Sequence, residues 1–111
     1  MATTRITPQI SFIGLPSSEA IEERILQGVG RLERLFDRIT SCRVVVEVPH
    51  RQHQRGNKYR VRIELAVPGN RIVVNREDDR PEYEDAYVVL RDAFNAAGRQ
   101  LEDYVERLRG E

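Results

Sequence analysis

Four arginines and a glutamine carry the most legible chemistry in this sequence. Arg24, Gln27, Arg31, Arg34 and Arg38 recur at steps of three and four. At about 100° per residue, a helix gathers them within about 80° of arc. Beside them Ile21, Ile25, Val29, Leu32, Leu35 and Phe36 form an apolar stripe, while Glu19, Glu22, Glu23, Glu33 and Asp37 take the remaining surface. A solvated helix normally interleaves its charges. A row of guanidinium groups held on one flank by a buried stripe suits a phosphate backbone.

A second basic tract, Pro49-His50-Arg51-Gln52-His53-Gln54-Arg55-Gly56-Asn57-Lys58, joins two strand-like segments and is extended by Arg60 and Arg62. It reads either as a basic finger touching phosphate or sugar through His50, Arg51, His53, Arg55, Lys58, Arg60 and Arg62, or as a solvated hairpin loop. Most hairpin loops are shorter and less one-signed. The two histidines add charge to it below about pH 6.5. They do not make a metal site: no cysteine or carboxylate lies close by in sequence, and a defined site needs three or four ligands. No metal and no cofactor are expected.

Catalytic patterns are missing. Ser11, Ser17, Ser18 and Ser41 fall in strand, cap or turn positions, outside any nucleophile elbow, and there is no phosphate-cradling glycine loop. The acidic group Glu77, Asp78, Asp79, Glu82, Glu84 and Asp85 lacks the glycine hub and closing glutamate of a calcium loop. It is better explained as a solvated loop feeding a helix N-terminus. Cys42 points inward on its strand and reads as inert packing.

The elements that must position these residues follow from periodicity. Residues 1–8 are polar and expected to be loose, leaving one domain over residues 9–109. Gln9 to Leu15 reads as a strand ended by Gly14 and Pro16. Ser17 or Ser18 caps the arginine-bearing helix. Gly28 and Gly30 inside it each cost about 1 kcal/mol against alanine, so close packing, on the sheet by preference, is expected there. Ser41–Val48 and Tyr59–Val67 alternate as half-buried strands. Pro68-Gly69-Asn70 turns the chain into a third strand of the meander, Arg71–Asn75. A second helix spans about Asp85 to Arg109 on a stripe of Ala86, Leu90, Ala93, Phe94, Ala97, Leu101, Tyr104, Val105 and Leu108. Val88 and Val89 lie off that stripe and either widen the buried face or mark a contact surface. Arg99 with Asp103, and Asp103 with Arg107, are spaced to pair at i,i+4. The fold class is therefore α+β: a two-layer β-α-β-β-β-α sandwich, with two helices on one face of a four-stranded mixed sheet. Its first crossover should make the first two strands parallel if they are adjacent.

Composition narrows the function further. The 111 residues suffice for a single core. No apolar run approaches the roughly 20 residues that span a bilayer, and no signal-peptide pattern opens the chain. With one cysteine, these features favour a cytoplasmic protein with no membrane partner. The formal net charge is zero, yet residues 1–62 hold eleven Lys or Arg against six Asp or Glu, and residues 63–111 hold seven against twelve. Either a polyanion meets the basic half, or the fold mixes the two halves in space.

The run Leu32-Glu33-Arg34-Leu35-Phe36-Asp37-Arg38-Ile39, with Asp85-Ala86-Tyr87 and Arg99-Gln100-Leu101, resembles the ribosome hibernation-promoting factor and ribosome-associated inhibitor family. Ile39 to Asn75, especially Cys42-Arg43-Val44-Val45-Val46-Glu47 with the His/Arg loop, and Ile72-Val73-Val74-Asn75-Arg76-Glu77, is similar to a short proteobacterial branch of it. The resemblance covers about residues 9 to 109. It implies the strand–helix–three-strand–helix order, similar to a double-stranded RNA-binding domain. It also implies binding to the small ribosomal subunit through rRNA, in the channel of mRNA and tRNA, with a steric stop to translation. Matched by position, it gives basic contacts at Arg31, Arg38 and Arg99; Arg24 and Arg34 come from the stripe alone. Positions often lysine in the family are here Gly28, Ala96, Asp103 and Val105, so the second helix has lost much of its basic face. Long members add a C-terminal domain that pairs ribosomes; with the sequence ending at Glu111, pairing by that means is not expected. The reading is a non-enzymatic ribosome-associated factor acting on no small-molecule substrate. The alternative is a protein–protein adaptor that keeps the fold with weakened RNA binding. Shape recognition of folded RNA suits so few aromatics, with Tyr59, Tyr83 and Tyr87 the available stacking residues.

Overall fold

The computed structural model describes residues 5–49, 58–77 and 80–110. The strands are β1 (Gln9–Ile13), β2 (Ser41–Glu47), β3 (Arg60–Val67) and β4 (Asn70–Arg76); the helices are α1 (Glu19–Leu35) and α2 (Ala86–Gly110), the latter preceded by a 3-10 turn at Pro81–Glu84. One sheet takes them in the order β1-β2-β3-β4. β1 runs parallel to β2, with Ile10 opposite Val44, as a helical crossover between neighbours demands. The remaining pairs are antiparallel, with Val44 opposite Ile63 and Ile63 opposite Val74.

Alternation fixes the two faces of this sheet. Cys42, Val44, Val46, Val61, Ile63, Leu65, Ile72 and Val74 are buried and meet Ile25, Val29, Leu32, Leu90, Ala97 and Leu101 from the helices in one core. Arg43, Arg62, Glu64 and Val73 point the other way, onto a face no helix covers. The two-layer α+β sandwich expected from periodicity is the fold observed.

Local chemistry sets the ends of the elements. Ser18 caps α1, its Oγ accepting from Ile21 N at 3.2 Å. Asp85 plays the same part for α2: its Oδ1 accepts from Tyr87 N at 2.9 Å. Gly14 holds φ +79°, and a β-carbon there would strike the Val48 carbonyl oxygen, so glycine is required where β1 turns out of the sheet. Residues 5 and 6, from the segment expected to be loose, are tied to α1: Glu33 Oε2 accepts from Arg5 N at 2.9 Å and from Ile6 N at 3.0 Å.

Two apolar assignments differ from the sequence reading. Leu35 is 43% exposed and Leu108 44% exposed, although both fall on apolar stripes. Leu35 lies at the edge of its stripe, beside the arginine flank, where the second helix rather than the sheet is its neighbour. Leu108 lies beyond Tyr104, and a 25-residue helix, about 37 Å long at 1.5 Å per residue, overhangs strands of at most eight residues. Val89 is fully buried, so it widens the core face of α2.

Candidate nucleic-acid interface

The two helices meet along one seam and run in the same direction. Arg24 lies over the Tyr87 ring, its guanidinium carbon 4.7 Å from the ring centroid. Gly28 meets Phe94, and Leu32 and Leu35 meet Gly98. Each step along α1 is matched by a step along α2. Placing Arg24 at 0°, Gly28 falls at about 40° and Leu35 at about 20°, while the core-facing Leu32, Ile25 and Val29 fall at about 80–140°. Arg24, Gln27, Arg31 and Arg34 occupy about 280–360° on the same scale, whereas Arg38 falls in the turn beyond the end of α1 at Leu35 and off the helical flank expected for it. The flank therefore stands on the outer side of the seam, against the line where α2 packs.

Gly28 is what lets the helices approach. A β-carbon there would lie 2.7–2.8 Å from the Phe94 ring atoms, so the close neighbour of this glycine is the second helix and not the sheet. Further along the seam lies a groove of about 490 Å³, lined by the apolar Gly28, Leu32, Leu35, Phe94 and Gly98 and by the polar Arg31, Arg34, Asn95, Arg99 and Glu102. Three of the expected contact residues, Arg31, Arg34 and Arg99, thus converge on one opening although Arg99 is remote in sequence from the other two.

Their electrostatic state is distinctive. None of the three makes a side-chain hydrogen bond or ion pair with another described residue. The pairing expected between Arg99 and Asp103, and between Asp103 and Arg107, is not made. Arg24 and Arg38 lie over aromatic rings, Arg38 5.2 Å from the Phe36 centroid, and neither forms an ion pair with another described residue, so their charge stays uncancelled there.

The strand half of the expected site is different. Lys58 Nζ lies 3.0 Å from Glu84 Oε2, and Arg62 Nε lies 2.9 Å from Glu64 Oε2. Arg60 is held between Glu47 and Glu77. Arg60 and Arg62 lie on the open face of the sheet, the opposite side of the molecule from the helix seam, so these cations do not extend the α1 flank. His50, Arg51, His53 and Arg55 lie outside the described residues. Among the described residues, no three His, Cys, Asp or Glu side chains gather as a metal site, and no helix is long and apolar enough to cross a membrane.

Other polar groups have structural work. The Tyr83 hydroxyl donates to Asp92 at 3.1 Å and accepts from Arg80 at 2.7 Å. Burial, then the bond to Asp92, raises its pKa above the usual tyrosine value. With its ring fully buried, Tyr83 is not available for stacking. Burial pushes the Cys42 thiol up to about 12, with Glu33 adding to the effect. The bond from Arg62 is the main reason the Glu64 carboxyl lies below its ordinary value. Leu35, Asn95 and Gly98 were missed as site residues. The signal for Gly98 was present, since Gly28 and Gly98 are glycines on the facing sides of two amphipathic helices.

Residues 9–109 match the family described as Sigma 54 modulation protein / S30EA ribosomal protein. The chain belongs to this family. Among its relatives, a ribosome hibernation promoting factor from Azotobacter vinelandii is 31% identical over 101 residues, covering 87% of this chain and 84% of that protein. Another of the same name, from Pseudomonas putida, is 27% identical over 90 residues, covering 81% and 78%. The S30EA fold recurs in solved structures. The N-terminal domain of Thermus thermophilus Protein Y superposes with a TM-score of 0.68 at 22% identity, covering 88% of this chain and 99% of that one. A ribosomal subunit interface protein from Coxiella burnetii also gives 0.68, at 20% identity, covering 91% and 97%.

Proposed function

We propose that this S30EA-family chain is a cytoplasmic, non-enzymatic ribosome-associated factor that grips rRNA phosphates of the small subunit along the α1–α2 seam and blocks translation sterically. One observation carries the reading: Arg31, Arg34 and Arg99 open onto a single groove with no described carboxylate in partnership. Guanidinium groups left unpaired by the fold attract a polyanion, because nothing internal has to be displaced before phosphate binds. Family membership and relatives named as hibernation promoting factors support the ribosome as the source of that polyanion. The ion-paired Lys58, Arg60 and Arg62 are secondary in this account, since each would exchange one carboxylate for another anion.

Sedimentation with separated subunits across a salt series tests it. Neutralising three phosphates gives a slope of about −2 to −3 in log K against log salt, or about thirtyfold weaker binding between about 50 and 200 mM. The protein is expected in the small-subunit pellet at low salt and out of it at high salt, with cell-free translation inhibited in parallel. Salt-insensitive association would instead indicate an adaptor with an apolar protein interface.

A further inference from the structure

A surface built only to hold a phosphate backbone has no use for an apolar floor, yet the seam has one. Leu35 closes α1 and leaves 43% of its surface in water. It sits against Gly98, where the lack of a side chain keeps the groove open; a β-carbon there would meet Leu35 Cδ1 at 3.7 Å and Leu32 Cδ2 at 3.9 Å, with no clash. A methyl group at this position is therefore permitted by the packing and simply missing. The resulting volume, about 490 Å³, falls within the range of small-ligand clefts.

We infer that the α1–α2 groove seats the base of an unpaired nucleotide, with Arg31, Arg34 and Arg99 on the phosphates to either side of it. This rests on the RNA-binding reading and specifies the kind of RNA. An A-form duplex presents phosphates and 2′-hydroxyls but keeps its base faces stacked inside, so it offers nothing to Leu35 and Gly98. An unstacked base offers a flat apolar face to that floor and a π-surface to guanidinium planes. The rim has the polar complement: Asn95 provides both donor and acceptor, and Glu102 accepts from a base amino group or a ribose hydroxyl. Three arginines against one carboxylate at the rim match a ligand that is apolar at its centre and anionic at both ends.

Fluorescence anisotropy with the full chain tests this using three probes of equal length: an unstructured single-stranded RNA, the same backbone with every base removed, and a perfect RNA duplex. The single strand is expected to bind about tenfold more tightly than the abasic backbone, the scale of a stacked base, and more tightly than the duplex. Gly98→Leu, which fills the floor, is expected to abolish the difference between the base-bearing and abasic strands while keeping the parent's salt slope and circular dichroism. Equal binding of strand and abasic backbone by the parent, preference for duplex, or an undiminished difference in Gly98→Leu overturns the inference. If the parent still sediments with small subunits, only the base pocket falls. If no RNA binds and no subunit is retained, the RNA reading falls with it, and the groove is left to a protein partner.

Discussion

Gly28 shows how one residue decides where the charges stand. It is pressed against the Phe94 ring, so a basic residue here would part the helices rather than add to the interface. Gly28→Lys is expected to destabilise the fold by about 1–3 kcal/mol through overpacking, read as a lower urea midpoint, and to weaken RNA binding despite the added charge. Arg60→Ala and Arg62→Ala are expected to change RNA affinity less than twofold to threefold, about the worth of an exposed ion pair, measured by anisotropy. Leu35 marks the limit of the sequence at this scale. Its apolar character and spacing assign it to the core, but a residue at the edge of a stripe faces whichever element packs there, and only the helix–helix contact settles that. The freedom of Arg99 was equally hidden. A spacing that permits a pair with Asp103 does not compel one, because an exposed i,i+4 pair contributes only about 0.3–0.5 kcal/mol.

The elements themselves were legible because their causes are local. Alternation across Ser41–Val48 and Tyr59–Val67, the 3.6-residue period from Ser18 and the capping serine all act within a few residues. Ser18→Ala is expected to cost about 1 kcal/mol, visible as a lower urea midpoint. What pins the far end of α2 was not legible. Tyr104 donates its hydroxyl to the Pro68 carbonyl at 2.5 Å and packs edge-on against Phe36, centroids 5.4 Å apart, so the turn between β3 and β4, the end of α1 and the second helix are fastened together. Tyr104→Phe keeps the ring contact and is expected to lose about 1 kcal/mol with the hydroxyl. The relative placement of the two helices depends on pairings such as these, 36 residues apart in sequence, and with it the groove that brings Arg99 to Arg31.

Across the whole molecule the charge asymmetry between the two halves resolves in space. Lys58, Arg60 and Arg62 from the basic half pair with Glu84, Glu77 and Glu64 from the acidic half, so the fold cancels much of the difference on the strand side. Among the described residues, Arg24, Arg31 and Arg34 of α1 make no such ion pair. A molecule of zero net charge thus presents a local positive seam, and its attraction for a polyanion is short-ranged and screened within about 8–10 Å at physiological salt. Stability follows the two buried acids. Cys42 and Tyr83 both titrate above their ordinary values in the folded state, so the unfolded chain ionises first as pH rises. Their contribution is complete below about pH 9, the ordinary cysteine value, and declines through to about 12 for Cys42. Each group adds a slope of at most about 1.4 kcal/mol per pH unit. Urea midpoints are expected to fall steadily above about pH 9, less steeply in Cys42→Ala.

The helix seam as the phosphate grip is tested most directly by co-sedimentation of Arg31→Glu/Arg34→Glu/Arg99→Glu with small ribosomal subunits, beside the parent and at matched urea midpoints. The triple variant is expected to stay in the supernatant at a salt concentration where the parent pellets. A variant that folds and pellets as the parent does would contradict the account.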